Sequence, residues 1–529
     1  MPPGPTPDRQ ASVAAPAPTK MNAAVGAGHT IATVTAPSGC IDRRPSAAGG
    51  CDPVEGSSPP LQTTTDARTS VSRITSSRFF RYTRLIVNCI SHWTFRPIPI
   101  PENPTYSPDD VTIILPTIAA GGEELARTLR TCLRTEPRQL ILVTVDANVE
   151  NLTKVANAIN AKIIKVLSIR EANKRRQMCR AIPEVTTRIT VFVDDDVIWP
   201  PKVLQWMLAP FEDPKMGGVG TSQRLKRPPQ PSIWSFLGAI YLERRNWDCS
   251  ACLHIDGGLP CLSGRTVAYR TDILQQSEFT HGFTNEEWRT CQLNADDDNF
   301  ITRWMYSHRW KIAMQYHKEA EVQTTLENSS KYLNQCLRWV RSNWRSNLTS
   351  MFEERHYWLT QPWSTYAVLQ TTITAWALPF DAFIFYATHR ASIDRSYNER
   401  LALFGALFLW IFVFSKTVKL WGHYFRYPSD LKLHCVYVGF AYFHGLIKLY
   451  GLVTLSETTW GSRDGADADD RVRMIRLPRY DSTEPDGRKS TSFDYPHDLE
   501  QVDQLPAYDP HTRHYDAPLT TNITINDSH

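Results

Sequence analysis

Residues 401–414 form an unbroken apolar or glycine stretch, LALFGALFLWIFVF, which continues through Trp421 and is flanked by Lys416 and Lys419. About 20 helical residues cross a hydrocarbon core of roughly 30 Å, so this segment is long enough to span a bilayer. A buried core helix is the alternative for any one such segment. Thr365–Thr388 is a second candidate, interrupted by Pro379 and Asp381, and Cys435–Leu455 is a third, carrying His444 and Lys448. Two further stretches read as interfacial: Leu85–Phe95 is too short to cross, and 338–358 mixes Trp with Arg and Glu. The mean hydropathy of −0.34 conceals these segments because polar ends dilute them.

Those ends are residues 1–77, rich in Pro, Ala, Gly, Ser and Thr, and the polar, Asp- and Pro-rich stretch from about Asp464 to His529. Neither carries enough apolar surface to offset the entropy of ordering, so both are expected to be disordered. No basic start followed by an apolar core marks a secretory signal. Lys and Arg total 58 against 54 Asp and Glu, a net charge of +4 on 529 residues, which argues against a nucleic-acid partner. Eleven scattered cysteines exclude a small disulfide scaffold and fit a reducing compartment.

Between the ends, about 105–345 alternates short apolar runs with helix-length stretches: VTIILP (111–116), LILVTV (140–145), AKIIKVLSI (161–169) and ITVFV (189–193). This pattern predicts an α/β domain, a largely parallel sheet covered by helices, with ligands at the carboxyl ends of the strands. The run ITVFV ends in Asp194-Asp195-Asp196. Asp194 and Asp196, two apart, suit a hard divalent cation beside a diphosphate, and a solvated acidic loop is the plainer alternative. A second triple, Asp296-Asp297-Asp298, precedes the helical pattern NFITRWMYSHRW. One member can cap that helix, and another can take a proton from an attacking hydroxyl. In Gln335-Cys-Leu-Arg338-Trp339, the helical spacing brings Gln335, Arg338 and Trp339 to one face. Arg suits diphosphate oxygens and Trp a stacked sugar, while a membrane-surface belt of Trp and Arg is the other reading. Cys249 and Cys252 with His254 lack a second pair for zinc, and Gly217, Gly218 and Gly220 lack dinucleotide-binding spacing.

Taken in order, Pro116-Thr117, Asp146, Lys174-Arg175, the D-x-D, Ser263-Gly264-Arg265, the second acidic triple and Q-x-x-R-W resemble family-two inverting glycosyltransferases. The likeness is to the processive membrane polysaccharide synthases, closest to hyaluronan synthases and the fungal capsular-polysaccharide-synthase-like group, over roughly 105–465. The resemblance implies a nucleotide-diphospho-sugar transferase sheet of GT-A type with C-terminal membrane helices, in a fungal cell-membrane protein. It implies that Thr117 and Asp146 hold uridine, that Lys174 lies near the donor phosphates, and that Asp194 and Asp196 bind nucleotide and Mg2+ or Mn2+. Ser263, Gly264 and Arg265 resemble the acceptor-side loop, with Arg265 standing where hyaluronan synthases usually have Pro. Ala295-Asp296-Asp297 resembles their Gly-Asp-Asp, making Asp297 the catalytic base beside Asp296. Gln335, Arg338 and Trp339 match unchanged, and Trp460-Gly-Ser-Arg463 resembles a segment that gates the bound nucleotide.

The partners implied are a UDP-sugar donor, a growing glycan acceptor and the lipid bilayer. UDP-sugars are cytosolic, so the catalytic domain is expected to face the cytosol at the plasma membrane, in a multi-pass chain. For residues 457–464 to gate that domain, the crossings between must be even in number. The segment with His444 and Lys448 is then the expected re-entrant or interfacial helix, since intramembrane charge is expensive. The acceptor site Asn347-Leu-Thr, one of four glycosylation patterns, then goes unused. Related synthases carry more membrane helices, so a channel here implies a homo-oligomer or an accessory membrane partner. Two alternatives stand beside processive synthesis: a non-processive transferase acting on a lipid or short glycan, and an inactive membrane scaffold.

Overall fold

A computed structural model describes residues 82–289, 291–355, 357–373 and 376–458. Both predicted disordered ends and the predicted gating residues Trp460 and Arg463 lie outside the described residues. The central sheet has seven strands. Its edge-to-centre run from one side is β3 (Ile164–Ile169), β2 (Gln139–Val145), β1 (Val111–Pro116) and β4 (Ile189–Val193), all parallel. β8 (Thr266–Arg270) follows antiparallel to both β4 and β6 (Met216–Thr221), and β11 (Lys311–Gln315) closes the far edge parallel to β6. A small sheet joins β5 (Val197–Ile198), β12 (Val322–Thr324) and β7 (Gln223–Leu225), and β9 (Glu287–Trp288) pairs with β10 (Cys291–Gln292). The four predicted apolar runs all became strands, β1 and β4 on the predicted residues.

Strand side chains alternate between faces, and both faces here are buried. Val111, Ile113 and Leu115 of β1 join one core with Leu140, Leu142, Ile189 and Val191. Ile114, Ile141, Val143 and Phe192 join the other. The glycine cluster discounted in the sequence is β6, and packing explains it. A Cβ on Gly217 would lie 2.7 Å from Trp310 Cβ, and one on Gly218 would lie 2.8 Å from the Tyr269 ring. Cys249 and Cys252 are buried on the helix Ile233–Asp256. That helix starts with the Ser232 hydroxyl accepting from the Trp234 and Ser235 amides and stops at Gly257, whose φ of 71° is left-handed.

Among the described residues two helices are long and apolar enough to cross a membrane, Tyr397–Arg426 and Pro428–Val453. The helices Pro362–Thr372 and Ala377–Ala391 meet at 85°. The bend therefore falls in the segment interrupted by Pro379, while the helix bearing His444 and Lys448, expected to be re-entrant or interfacial, is long and apolar enough to cross. Asp381 is buried there and accepts from the Tyr442 hydroxyl of the last helix at 2.8 Å, which gives that charge a partner. The first described helix, 82–94, is roughly 20 Å long and too short to span. It packs Leu85 and Cys89 with Trp247, Ile384 and Ile411, and Trp93 stacks on Trp421.

Candidate active site

The parallel strands β1, β2 and β4 end on one edge of the sheet, delivering Thr117, Asp146 and Asp194. β8 runs the other way, so its beginning, the Ser263–Arg265 turn, reaches the same edge. The Asp194 amide donates to the Arg265 carbonyl at 3.1 Å, joining the two. Thr117 is buried, held by its amide on the Val143 carbonyl (2.8 Å) and its hydroxyl on Asp195 (2.5 Å). Gln177 donates to both the Thr117 and the Val143 carbonyls, each at 2.9 Å.

A cavity of about 350 Å³ opens at this edge, lined by Thr117, Lys174, Asp194, Asp196, Arg265, Gln335 and Arg338 among others. Seven of the residues singled out in the sequence thus meet in one place. Lys174 opens the helix Lys174–Ala181, which Asn173 caps through the Arg176 amide. Its ammonium bridges Asp194 Oδ1 at 2.9 Å and Asp297 Oδ2 at 3.0 Å. Burial opposes that charge, but the two carboxylates outweigh it and hold the ammonium above its ordinary range. Burial and the adjacent Arg265 charge pull the Arg338 guanidinium down, a strain that a bound anion would relieve.

The three aspartates of the second triple divide their work. Asp296 stands at the start of the helix Asp297–Ser307 with a left-handed φ of 68°, but its side chain makes no cap. It turns instead to Arg345, accepting from Nε and from the second guanidinium nitrogen, both at 2.8 Å. Asp297, also buried, faces Lys174; burial resists its ionisation, but the Lys174 charge wins and lowers its pKa. Asp298 is pushed up by burial and by the Asp297 charge, and it accepts from the Gly264 amide at 3.4 Å. A Cβ on Gly264 would lie 3.3 Å from Asp297 Oδ2 and 3.4 Å from Lys174 Nζ, so a side chain here would crowd the ends of both. Ser263 is buried just before it.

Asp296, Asp297, Ser263 and Gly264 are not among the lining residues of this cavity, and two more predicted residues sit elsewhere. Asp146 is exposed at the end of β2 and does not line the cavity. Trp339 does not line it either: it stacks on Tyr241 at 4.7 Å and 16°, beneath the Arg265 guanidinium at 5.6 Å, and walls a second cavity. Arg265 itself is tied to Thr324 and Gln223. Sequence reasoning missed the ionic lattice behind the acidic triple. Arg175, fully buried, donates to Glu286, the Phe283 carbonyl and the Ala295 carbonyl. Glu286 also pairs with Arg303, which reaches Glu354 at 3.1 Å. Only the adjacency of Arg175 to Lys174 hinted at it.

Asp194 and Asp196 suit a divalent cation. Among the described residues no group of three or more His, Cys, Asp or Glu is placed to hold a metal, and Asp194 Oδ1 is engaged by Lys174 at 2.9 Å. Thr325 donates to Asp196 at 2.6 Å, yet burial and the Asp194 charge push Asp196 up to about 6 from 3.8. The folded protein then holds this proton more tightly than the unfolded chain, so metal-free stability falls as pH rises from about 4 through about 6. A cation held by the pair removes that penalty. The melting temperature should therefore rise more on adding Mn2+ and UDP at about pH 7.5 than at about pH 5; an equal or opposite trend would count against Asp196 as a ligand.

The model of the family described as "Glycosyltransferase like family 2" matches residues 108–342. A "Type 2 glycosyltransferase" of Zymoseptoria tritici is 71% identical over 451 residues, spanning 85% of this chain and 95% of the relative. Another of that description, from Gibberella zeae, is 49% identical over 405 residues, 76% of this chain and 77% of the relative. Human "Hyaluronan synthase 3" is 23% identical over 332 residues, 59% of this chain and 54% of the relative. With its GT-A-type sheet and the membrane-length helices that follow it, the chain belongs to the family 2 glycosyltransferases and is a glycosyl-transferring enzyme.

Proposed function

We propose that the protein is an inverting glycosyltransferase that uses a UDP-sugar to extend an extracellular or cell-wall polysaccharide processively at the plasma membrane. One observation carries this reading: the Lys174 ammonium joins Asp194 at the end of β4 to Asp297 at the start of the second acidic motif. That contact sets a diphosphate site and a carboxylate base one side chain apart. Thr117, at the end of β1 and in the cavity wall, takes the uridine. Lys174, Gln335 and Arg338 face the diphosphate, while Ser263, Gly264 and Arg265 border the acceptor. Asp194 and Asp196 would hold Mg2+ or Mn2+, which would supply charge neutralisation at the diphosphate. Asp297 takes the proton of the acceptor hydroxyl, whose oxygen attacks the anomeric carbon as the bond to UDP breaks, inverting that centre. Arg338, half-buried in the cavity wall, stabilises the negative charge that develops on UDP. The similarity to a hyaluronan synthase supports a polymeric product.

The test is UDP release from purified membranes offered UDP-GlcNAc, UDP-Glc, UDP-GlcA or UDP-Gal with Mn2+ or Mg2+, followed by sizing of the product. Release with one donor and a long product is expected; release with only single-sugar addition would replace polymer synthesis with a non-processive transfer. Topology is a separate prediction. With two crossings, Tyr397–Arg426 and Pro428–Val453, single cysteines at residues 200 and 470 should both resist an impermeant thiol reagent in intact cells. Labelling at residue 470 alone would contradict a cytosolic gate.

A further inference from the structure

A second cavity, of about 290 Å³, lies behind Trp339, between the helices Ile233–Asp256 and Tyr332–Leu348 and the membrane helices. Its charge is lopsided. Arg84, Arg244, Arg245, Lys419 and Lys448 line it, against one carboxylate, Asp248. Asp248 is already shared, with Lys419 at 2.7 Å and Arg84 at 3.4 Å. Arg245 donates to the Cys261 carbonyl at 2.8 Å, and Lys448 Nζ reaches the Thr371 carbonyl at 3.3 Å. Among the described residues, Arg244, Arg245 and Lys448 form no ion pair with a carboxylate. Cationic side chains on membrane helices are costly unless they face a partner or a ligand, and two of these five stand on the membrane-length helices. The remaining wall is partly apolar, from Ala367, Val368 and Val340. Asn347, a glycosylation pattern by sequence, also lines this space.

The cavity adjoins the reaction centre on the side away from the diphosphate site. Cys261 lines it and begins the turn that carries Gly264, whose amide donates to Asp298 at 3.4 Å, and Trp339 separates the two spaces beneath Arg265. We propose that this cavity seats the phosphate head group of a lipid, the membrane anchor of the acceptor, with its apolar tail leaving between the membrane helices. A charge-matched phosphate satisfies the surplus cations, and walls made by membrane helices favour a lipid over a soluble anion. The phosphate is held, not consumed. The assignment rests on the transferase reading above and names the chemical class of its acceptor.

Full-length protein in detergent is offered a polyprenyl phosphate, the same polyprenol without phosphate, or phosphatidic acid, and binding is measured without any sugar donor. The phosphorylated prenyl lipid should bind at least about tenfold more tightly than the alcohol, and R244Q and K448Q should each remove most of that difference. Melting temperature and UDP binding of the purified variants separate a folding defect from a lost seat. Equal binding of phosphatidic acid would support the seat and assign it to bulk phospholipid. Equal binding of the alcohol, or undiminished binding in both variants, would overturn it. Because no donor is present, silence in the UDP-release assay would leave this outcome standing.

Discussion

Asp297→Asn should lower glycosyl transfer by about 10²- to 10⁴-fold, the range for loss of a positioned general base, with UDP still bound. The amide keeps the shape of the carboxylate and removes its ability to take a proton. Lys174 keeps its second partner, Asp194 at 2.9 Å, so the diphosphate side of the site stays assembled. The neighbouring residue supplies the control. Burial and the Asp297 charge push Asp298 up, away from the role of a ready base, and its two side-chain oxygens accept from the Gly264 and Asn299 amides. Asn keeps the shape and an acceptor oxygen, so Asp298→Asn should cost far less. Because Lys174 lowers the pKa of Asp297, the base stays ionised through the neutral range. UDP release with its cognate donor, measured for both variants, decides the matter. A severe Asp298→Asn and a mild Asp297→Asn would exchange their roles, and two variants with wild-type release would place the base outside this triple.

That contrast could not be read from the chain, because three consecutive aspartates are chemically identical until a fold gives each a different neighbour. What periodicity does report is apolar burial, and β1 and β4 emerged on the predicted residues because both sheet faces are covered. Strand β6 escaped for the converse reason. Gly217 and Gly218 are there to admit Trp310 and Tyr269, and a strand chosen for missing side chains leaves no hydrophobic signal. The D-x-D, Lys174 and Q-x-x-R motifs were legible as motifs because each is local and ends a regular element. Trp339 was assigned to the donor on the strength of its motif, yet helix geometry turns it onto Tyr241. Arg175, Glu286, Arg303 and Glu354 are scattered along the chain and become one buried network only through tertiary contact. The bend in the membrane region followed Pro379, whereas the intramembrane charges of the last helix turned inward to a cavity.

Arg345 shows the same dependence on long-range contact and yields the second large prediction. It sits on the helix Tyr332–Leu348, 3% exposed, and its guanidinium takes Asp296 with two nitrogens. The same group donates to the Leu455 carbonyl at 3.3 Å and the Glu457 carbonyl at 3.2 Å, just beyond the last membrane helix. One side chain thus fastens the acidic triple to the stretch that leads toward Trp460 and Arg463. Arg345→Met fills similar volume but leaves Asp296 buried without its countercharge, a change that costs about 3–5 kcal/mol when one partner of such a pair is removed. It should also release residues 455–457 and depress transfer, with early proteolytic cleavage there as the readout of release. The double variant Asp296→Asn/Arg345→Met removes both charges, so it should melt at a higher temperature than Arg345→Met alone, since much of the single-variant penalty is the orphaned carboxylate. The cleavage site should remain open in the double variant, because the carbonyls have still lost their donor. A wild-type melting curve for Arg345→Met, or a double variant that melts below it, would show that the pair does not hold the acidic triple in place.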